Sequence, residues 1–207
     1  MKKSILFACA IALVITAGAQ IDKGSVLLGG EIGFTSNKAE NTARENNSTS
    51  LNPAFGVAVQ KNTVVGATLI YNSYKDNFTI SNPEMKGHTY GGSVFVRRYL
   101  AIGKQFFFFG EADFFSEGIL STSELSFQKE EAKSWETGVY LYPGISFAVS
   151  KRFQIETGFP QLVGFSFSKT KNFSNDVLVE TDHSVGLFAA ASAFSNISVG
   201  FRVFLSK

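Results

Sequence analysis

Apolar and polar residues alternate along most of this chain with a period of two. In the last such stretch, one face takes Ile197, Val199, Phe201, Val203 and Leu205, and Ser198, Gly200, Arg202 and Phe204 take the other. Alternation with this period is typical of β-strands that have two different faces. It predicts eight strands, near residues 25–36, 50–60, 63–75, 88–100, 105–117, 133–149, 153–168 and 184–205. No helical periodicity of useful length competes with it, so we expect an all-β protein.

The connections between these strands alternate in length. Three are tight, around Lys61, Gly103 and Lys151. The other four are long and polar, at 37–49, 76–87, 118–132 and 170–182. An outer-membrane barrel has short turns on its periplasmic rim and longer loops outside. The pattern therefore predicts an eight-stranded antiparallel up-and-down transmembrane β-barrel that displays four long polar loops, with both termini on the short-turn rim.

The two faces of the predicted strands differ in charge and in size. Within the strands the bulky apolar face carries only Arg98. The other face is richer in Gly, Ala and Ser and carries Glu31, Arg97, Glu111, Asp113, Glu136, Glu156 and Arg202. An eight-stranded barrel has an interior just wide enough to be filled by side chains. We therefore expect the bulky face to point outward into lipid and the charged face to line a largely filled interior.

Those seven charged residues are predicted to form a structural ion-pair network in the interior. Glu31 and Arg202 become neighbours only if the first and last strands pair, and Arg97 and Glu111 lie on adjacent strands, close enough to meet diagonally. Because five acids face two arginines, some carboxylates should be protonated, hydrated or hydrogen-bonded to Tyr140 or Tyr142. An ion path or proton relay is the alternative, but unpaired buried charges are costly, which favours a structural network.

The segment Phe106–Phe109 follows a tight turn and illustrates the same division. Phe106 and Phe108 should meet lipid near the interface, where barrels carry aromatic girdles. Phe107 and Phe109 should fill the lower interior. Arg98 lies three residues from the tight turn at Ala101, so its side chain can reach the interface.

The N-terminus predicts export. Lys2 and Lys3 precede an apolar run at 4–16 and a small-residue cleavage pattern at 17–19, as in a secretory signal peptide. We expect residues 1–19 to be removed and 20–207 to form one barrel domain in the cell outer membrane. The single cysteine, Cys9, would leave with the signal peptide, so no disulfide is expected.

The remaining composition narrows the possible partners. Residues 20–207 contain 17 basic and 17 acidic side chains, so charge gives no reason to expect a nucleic-acid partner. No later apolar run reaches 18 residues, the length expected of a membrane-spanning helix. The 22 phenylalanines fit strands with a large apolar surface to cover.

Several phrases carry a family resemblance: AQIDKGSVLLGGEIGF (19–34), FVRRYLAIGKQFFFFGEA (95–112), YPGISFAVSKRFQIETGF (142–159) and SNISVGFRVFL (195–205). Together they resemble the small outer-membrane β-barrel family of Gram-negative bacteria, the OmpA/OmpX-like transmembrane barrels. The resemblance implies a membrane barrel without a shared catalytic set. Such barrels usually end on an aromatic residue, whereas here Phe204 is followed by Leu-Ser-Lys.

Candidate chemistry outside the network is sparse. A serine-histidine-acid set needs its base within hydrogen-bond reach of the nucleophile. The two histidines, His88 and His183, stand beside separate predicted loops, and Ser184 next to His183 should point to the opposite face of its strand. We therefore predict no catalytic residues, no cofactor and no metal site.

The sequence thus predicts a structural or surface-interaction role. Expected partners are outer-membrane lipid and lipopolysaccharide, together with the barrel-assembly machinery during insertion; the ligand of the loops is not specified. Three alternatives remain: a narrow porin-like channel, a soluble periplasmic lipocalin-like carrier of an apolar ligand, and a lipid-modifying barrel enzyme.

Overall fold

The computed structural model describes residues 21–39, 44–78, 84–125, 128–159, 161–189 and 198–205, and within them every regular element is a β-strand. There are ten strands in these ranges: β1 (Val26–Ala39), β2 (Arg44–Gln60), β3 (Thr63–Phe78), β4 (Glu84–Ala101), β5 (Phe106–Leu125), β6 (Gln128–Ala148), β7 (Phe153–Gly158), β8 (Val163–Ser174), β9 (Val177–Ala189) and β10 (Ser198–Leu205). The all-β prediction is confirmed.

Eight of these strands form a closed antiparallel ring. Strands β1 to β6 pair in chain order, β6 pairs with β7, β7 with β10, and β10 returns to β1. The β1–β10 contact runs from Val26↔Leu205 to Glu31↔Gly200. Because this contact joins the first strand to the last, side chains far apart in sequence meet inside the ring.

The seventh and eighth predicted strands are each divided in two. The first, near 153–168, becomes β7 and β8, which both pair with β6 at successive positions. Between them, Phe159 N donates to Pro143 O at 3.0 Å and Leu162 N donates to Leu141 O at 2.9 Å, so the chain stays on β6 across the interruption. The second, near 184–205, becomes β9 and β10, with 190–197 outside the described residues.

The four long polar loops of the sequence prediction are instead mostly strand. For example, β5 and β6 remain paired out to Leu125↔Gln128, deep inside the predicted 118–132 loop. The last hairpin turns at Asn175 and Asp176, whose φ angles of 49° and 64° suit a two-residue turn between twisted strands. Alternation weakens in these stretches because both faces of the hairpins are polar, so periodicity does not mark them as strands.

The polarity of the ring is inverted relative to a soluble protein, as predicted. Large apolar side chains are exposed on every strand of the ring, among them Leu28, Phe55, Leu69, Val94, Phe106, Phe108, Phe114, Val139, Ile145, Ile155 and Phe201. By contrast, Arg97, Glu156 and Arg202 point inward and are each only 3% exposed. None of the described residues forms a helix long and apolar enough to cross a membrane.

The short-turn end of the ring holds a compact apolar cluster. Its members are Ile21, Leu27, Ala54, Ala58, Val64, Phe95, Tyr99, Phe107, Phe109, Ala148 and Phe204. The segment before β1 closes this end: Ile21 N donates to Asn62 Oδ1 at 3.1 Å, and Asn62 N donates to Ile21 O at 3.0 Å. The lower interior is therefore filled, as the sequence predicts for Phe107 and Phe109.

Candidate functional site in the ring interior

An ion-pair network lies directly above this apolar cluster. Arg97 on β4 and Glu111 on β5 are directly opposite in register rather than diagonal, and Arg97 Nε lies 2.5 Å from Glu111 Oε2. Arg97 Nη1 also donates to Glu156 Oε2 on β7. Since β5 and β6 separate β4 from β7 in the ring, this second contact crosses the interior and joins two walls that are not adjacent.

Arg202 on β10 extends the network to the first strand. Its Nε lies 3.2 Å from Glu156 Oε2, and its Nη2 lies 3.8 Å from Glu31 Oε1. Glu156 thus sits between two guanidinium groups. The contact with Glu31 exists because β1 and β10 pair. The sequence analysis predicted that Glu31 and Arg202 would become neighbours only in that case.

Tyr99 is a member of the network that the sequence reasoning did not single out. Its hydroxyl donates to Glu156 Oε1 at 2.7 Å and accepts from Arg97 Nη1 at 3.3 Å. Tyr99 stands two residues after Arg97, and residues two apart in a strand share a face. This periodicity alone could have identified Tyr99 as an inward-facing residue. The result is a cluster in which the three most deeply buried charged groups, Arg97, Glu156 and Arg202, each have more than one partner, as buried charges require.

Two predicted members, Asp113 and Glu136, do not belong to this network. Neither lies within 4 Å of a cationic group in an ion pair among the described residues. Glu136 instead accepts a hydrogen bond from Tyr140 Oη at 3.2 Å, one of the partners expected for surplus carboxylates. It also stands opposite Glu117 in the β5–β6 register. Glu117 was missed because the predicted strand ended there.

Glycine at position 144 makes room for the aromatic floor of the network. A Cβ added at Gly144 would lie 2.1 Å from Cζ of Phe109, and the Phe109 ring in turn lies 4.4 Å from the guanidinium carbon of Arg97. The glycine therefore allows Phe109 to close the interior below Arg97.

We expect Gly144→Val to destabilise the fold by about 1–3 kcal/mol, the usual cost of over-packing a filled interior. Chemical unfolding of the refolded protein measures this change. Phe109→Ala in the same chain should recover part of the loss, because it removes the ring that the new methyl groups meet. Equal losses with and without Phe109 would refute the proposed packing.

Above the network the interior opens into a cavity of about 490 Å³. Its wall includes Asn52, Thr68, Ser93, Asp113, Glu117 and Tyr142, and its floor is formed by Arg97, Phe109 and Arg202. The prediction of a largely filled interior is thus correct for the lower half and wrong for this upper part. Small inward side chains such as Thr68 and Ser93 leave the space, and sequence alone does not give the resulting volume.

The extended hairpins carry separate, exposed ion pairs. Glu84 forms ion pairs with Lys86 and with Lys75, the latter at 3.0 Å, and these contacts lower the pKa of Glu84. Lys133 Nζ lies 2.6 Å from Glu131 Oε1 and lowers the pKa of Glu131. Exposed pairs of this kind contribute little to stability.

The histidines are not assembled into a catalytic set. His88 stacks on Tyr71, with ring centroids 6.4 Å apart, and His183 lies 6.0 Å from the ring of Phe167. Ser184 shares a hydrogen bond of 2.8 Å with Ser168 rather than with its neighbour His183. The described residues also contain no group of three or more His, Cys, Asp or Glu side chains placed to hold a metal ion.

Comparison with known proteins gives no match, either to a protein-family model or to a curated protein. The geometry itself therefore carries the functional argument. Chemically, the interior combines a closed floor, a buried salt-bridge network and a polar cup above it.

Proposed function

We propose that this protein is an integral outer-membrane β-barrel with a structural or surface-interaction role. The observation that carries this proposal is the inverted polarity of the ring: exposed leucine, valine and phenylalanine outside, buried arginine and glutamate inside. Water penalises such an exterior, whereas hydrocarbon favours it. A closed ring also pairs its backbone donors within the sheet, which a membrane interior demands.

The barrel would anchor four extended hairpins above the bilayer. The strands run well beyond the apolar belt into polar stretches, as in the paired segments Arg44↔Phe78 and Glu84↔Glu124. Such hairpins would offer stiffer surfaces than open loops for contacts outside the cell. The immediate partners would be outer-membrane lipid and lipopolysaccharide, and the barrel-assembly machinery during insertion.

Membrane fractionation and gel migration test this proposal together. The protein should sediment with outer membranes and resist extraction by carbonate. Unboiled samples should migrate differently from boiled ones on SDS gels, because detergent alone should not open a ring whose backbone bonds are internal. Recovery in the aqueous fraction, with identical migration of both samples, would contradict the proposal.

Specific observations argue against two of the alternatives. A lipocalin-like carrier needs an apolar cavity, whereas acids line the cavity here. A porin-like channel needs a continuous aqueous path, whereas Tyr99, Phe107 and Phe109 are each at most 3% exposed and fill the floor.

We therefore expect no discrete conductance steps when the refolded protein is inserted into planar bilayers. The aromatic floor and the ion pairs above it should block hydrated ions. If protease protection verifies that the protein has inserted and regular single-channel steps are also seen, the porin-like channel is the correct alternative.

A further inference from the structure

The cavity above the network is a dead-end cup rather than a passage. Its volume of about 490 Å³ lies within the range of small-molecule sites, roughly 300–1,000 Å³. Arg97, Phe109 and Arg202 form its floor, and the apolar cluster seals the space below them. A molecule that enters from the hairpin side could not pass through the ring and would be held against the side chains of the cavity wall.

The charge of the cup is unbalanced. Four carboxylates and two guanidinium groups line it: Glu31, Glu111, Asp113, Glu117, Arg97 and Arg202. Both guanidinium groups are already shared with Glu156 on the floor. Glu117 also faces Glu136 across the β5–β6 pair, where like charges repel. The wall therefore favours a positively charged guest.

Two oxygen atoms on the wall lack a hydrogen-bond partner among the described residues, which is an independent observation. Ser93, which is 7% exposed, is not one of them, because its hydroxyl interacts with the neighbouring carboxylate of Asp113. The two atoms are the amide oxygen Oδ1 of Asn52 and the carboxylate oxygen Oδ1 of Asp113, both buried and without a partner in the described part of the chain. A buried acceptor without a donor is unfavourable, because it has lost its hydrogen bond to water without gaining another. A rotation of either side chain toward the cavity would let the N–H donors of a guest satisfy these oxygens.

Aromatic residues indicate an organic guest rather than a metal ion. Phe115, Tyr140, Tyr142 and Phe159 line the same cavity as the acids. Aromatic rings attract organic ammonium groups through cation–π contacts. Metal ions instead require several ligands converging on one point, and the described residues contain no such group of three.

We propose that this cup binds a small organic cation of the primary-amine class. The ammonium group would lie against Asp113 and Glu117, and the carbon body would pack on the aromatic wall. The role is additional to membrane anchoring, since a barrel needs no ligand to span a bilayer.

Calorimetric titration of the refolded protein in detergent tests this inference, with benzylammonium as the probe and benzoate as its anionic counterpart. Benzylammonium should bind saturably, and benzoate should not. Asp113→Asn and Glu117→Gln should each weaken binding by tenfold or more while keeping the side-chain shape. Glu180→Gln, an exposed acid on β9, should leave it unchanged.

The circular dichroism spectrum of each variant first establishes that it has folded. Absence of saturable binding to the folded protein, equal binding of benzoate, or unchanged affinity in both cup variants would overturn the inference. The result is independent of membrane anchoring: fractionation tests the barrel and titration tests the cup, so either can fail alone.

Discussion

Val94→Arg should prevent stable membrane insertion. Val94 is 57% exposed and lies midway along the apolar belt of β4, between the exposed residues Tyr90 and Leu100. An arginine facing lipid at the centre of the bilayer costs about 2–4 kcal/mol. We expect the variant to fold poorly into lipid vesicles, with most of the chain remaining unfolded on gels and open to added protease.

Thr68→Arg is the matched control at the same height. Thr68 stands opposite Ser93 in the β3–β4 register, next to the pair formed by Ala67 and Val94. Its side chain lines the acidic cavity, where a guanidinium group would find room and carboxylates. This variant should insert like the parent protein. Equal insertion of both variants would refute the assignment of inner and outer faces.

Arg97→Met should produce the largest loss of stability without changing the outer surface. The substitution removes the cation that joins Glu111 to Glu156 and leaves two carboxylates buried without their main partner. Breaking a buried pair from one side typically costs about 3–5 kcal/mol. We expect the urea midpoint of the refolded protein in lipid to fall accordingly, with the slope unchanged.

The adjacent residue provides the control for this substitution. Arg98 points outward, is exposed, and makes no ion pair within the described residues. Arg98→Met should therefore shift the free energy of unfolding by no more than about 0.5 kcal/mol, as for most surface substitutions. A loss as large as that of Arg97→Met would show that the network is not what stabilises the interior.

The strands and their two faces could be predicted because the inside and the outside of the ring are very different environments for a side chain. Period-two alternation identifies Val199 and Phe201 as outward-facing positions and Arg202 as an inward-facing one. No long-range information is needed for this assignment. The closing contact between Glu31 and Arg202 was also expected, since only a ring brings the first and last strands together.

Other features depend on geometry that local patterns do not encode. The hairpins extend beyond the belt because polar strands can pair in water, where no alternation marks them. The contact between Arg97 and Glu156 crosses the interior, so its existence depends on the tilt and stagger of the whole ring. The cavity arises from the sum of small side chains around several strands.

Lipid contact measured residue by residue along β3 decides whether the apolar outer face of the ring lies in a bilayer. Because Cys9, the only cysteine, lies in the predicted signal peptide, the mature chain can carry single cysteines at Ala67, Thr68, Leu69 and Ile70 on β3, each fluorescently labelled, in vesicles containing quencher-labelled lipid chains. We expect strong quenching at Ala67 and Leu69, which face outward, and weak quenching at Thr68 and Ile70, which line the cavity. Uniform quenching along β3, or none at any position, would contradict this expectation.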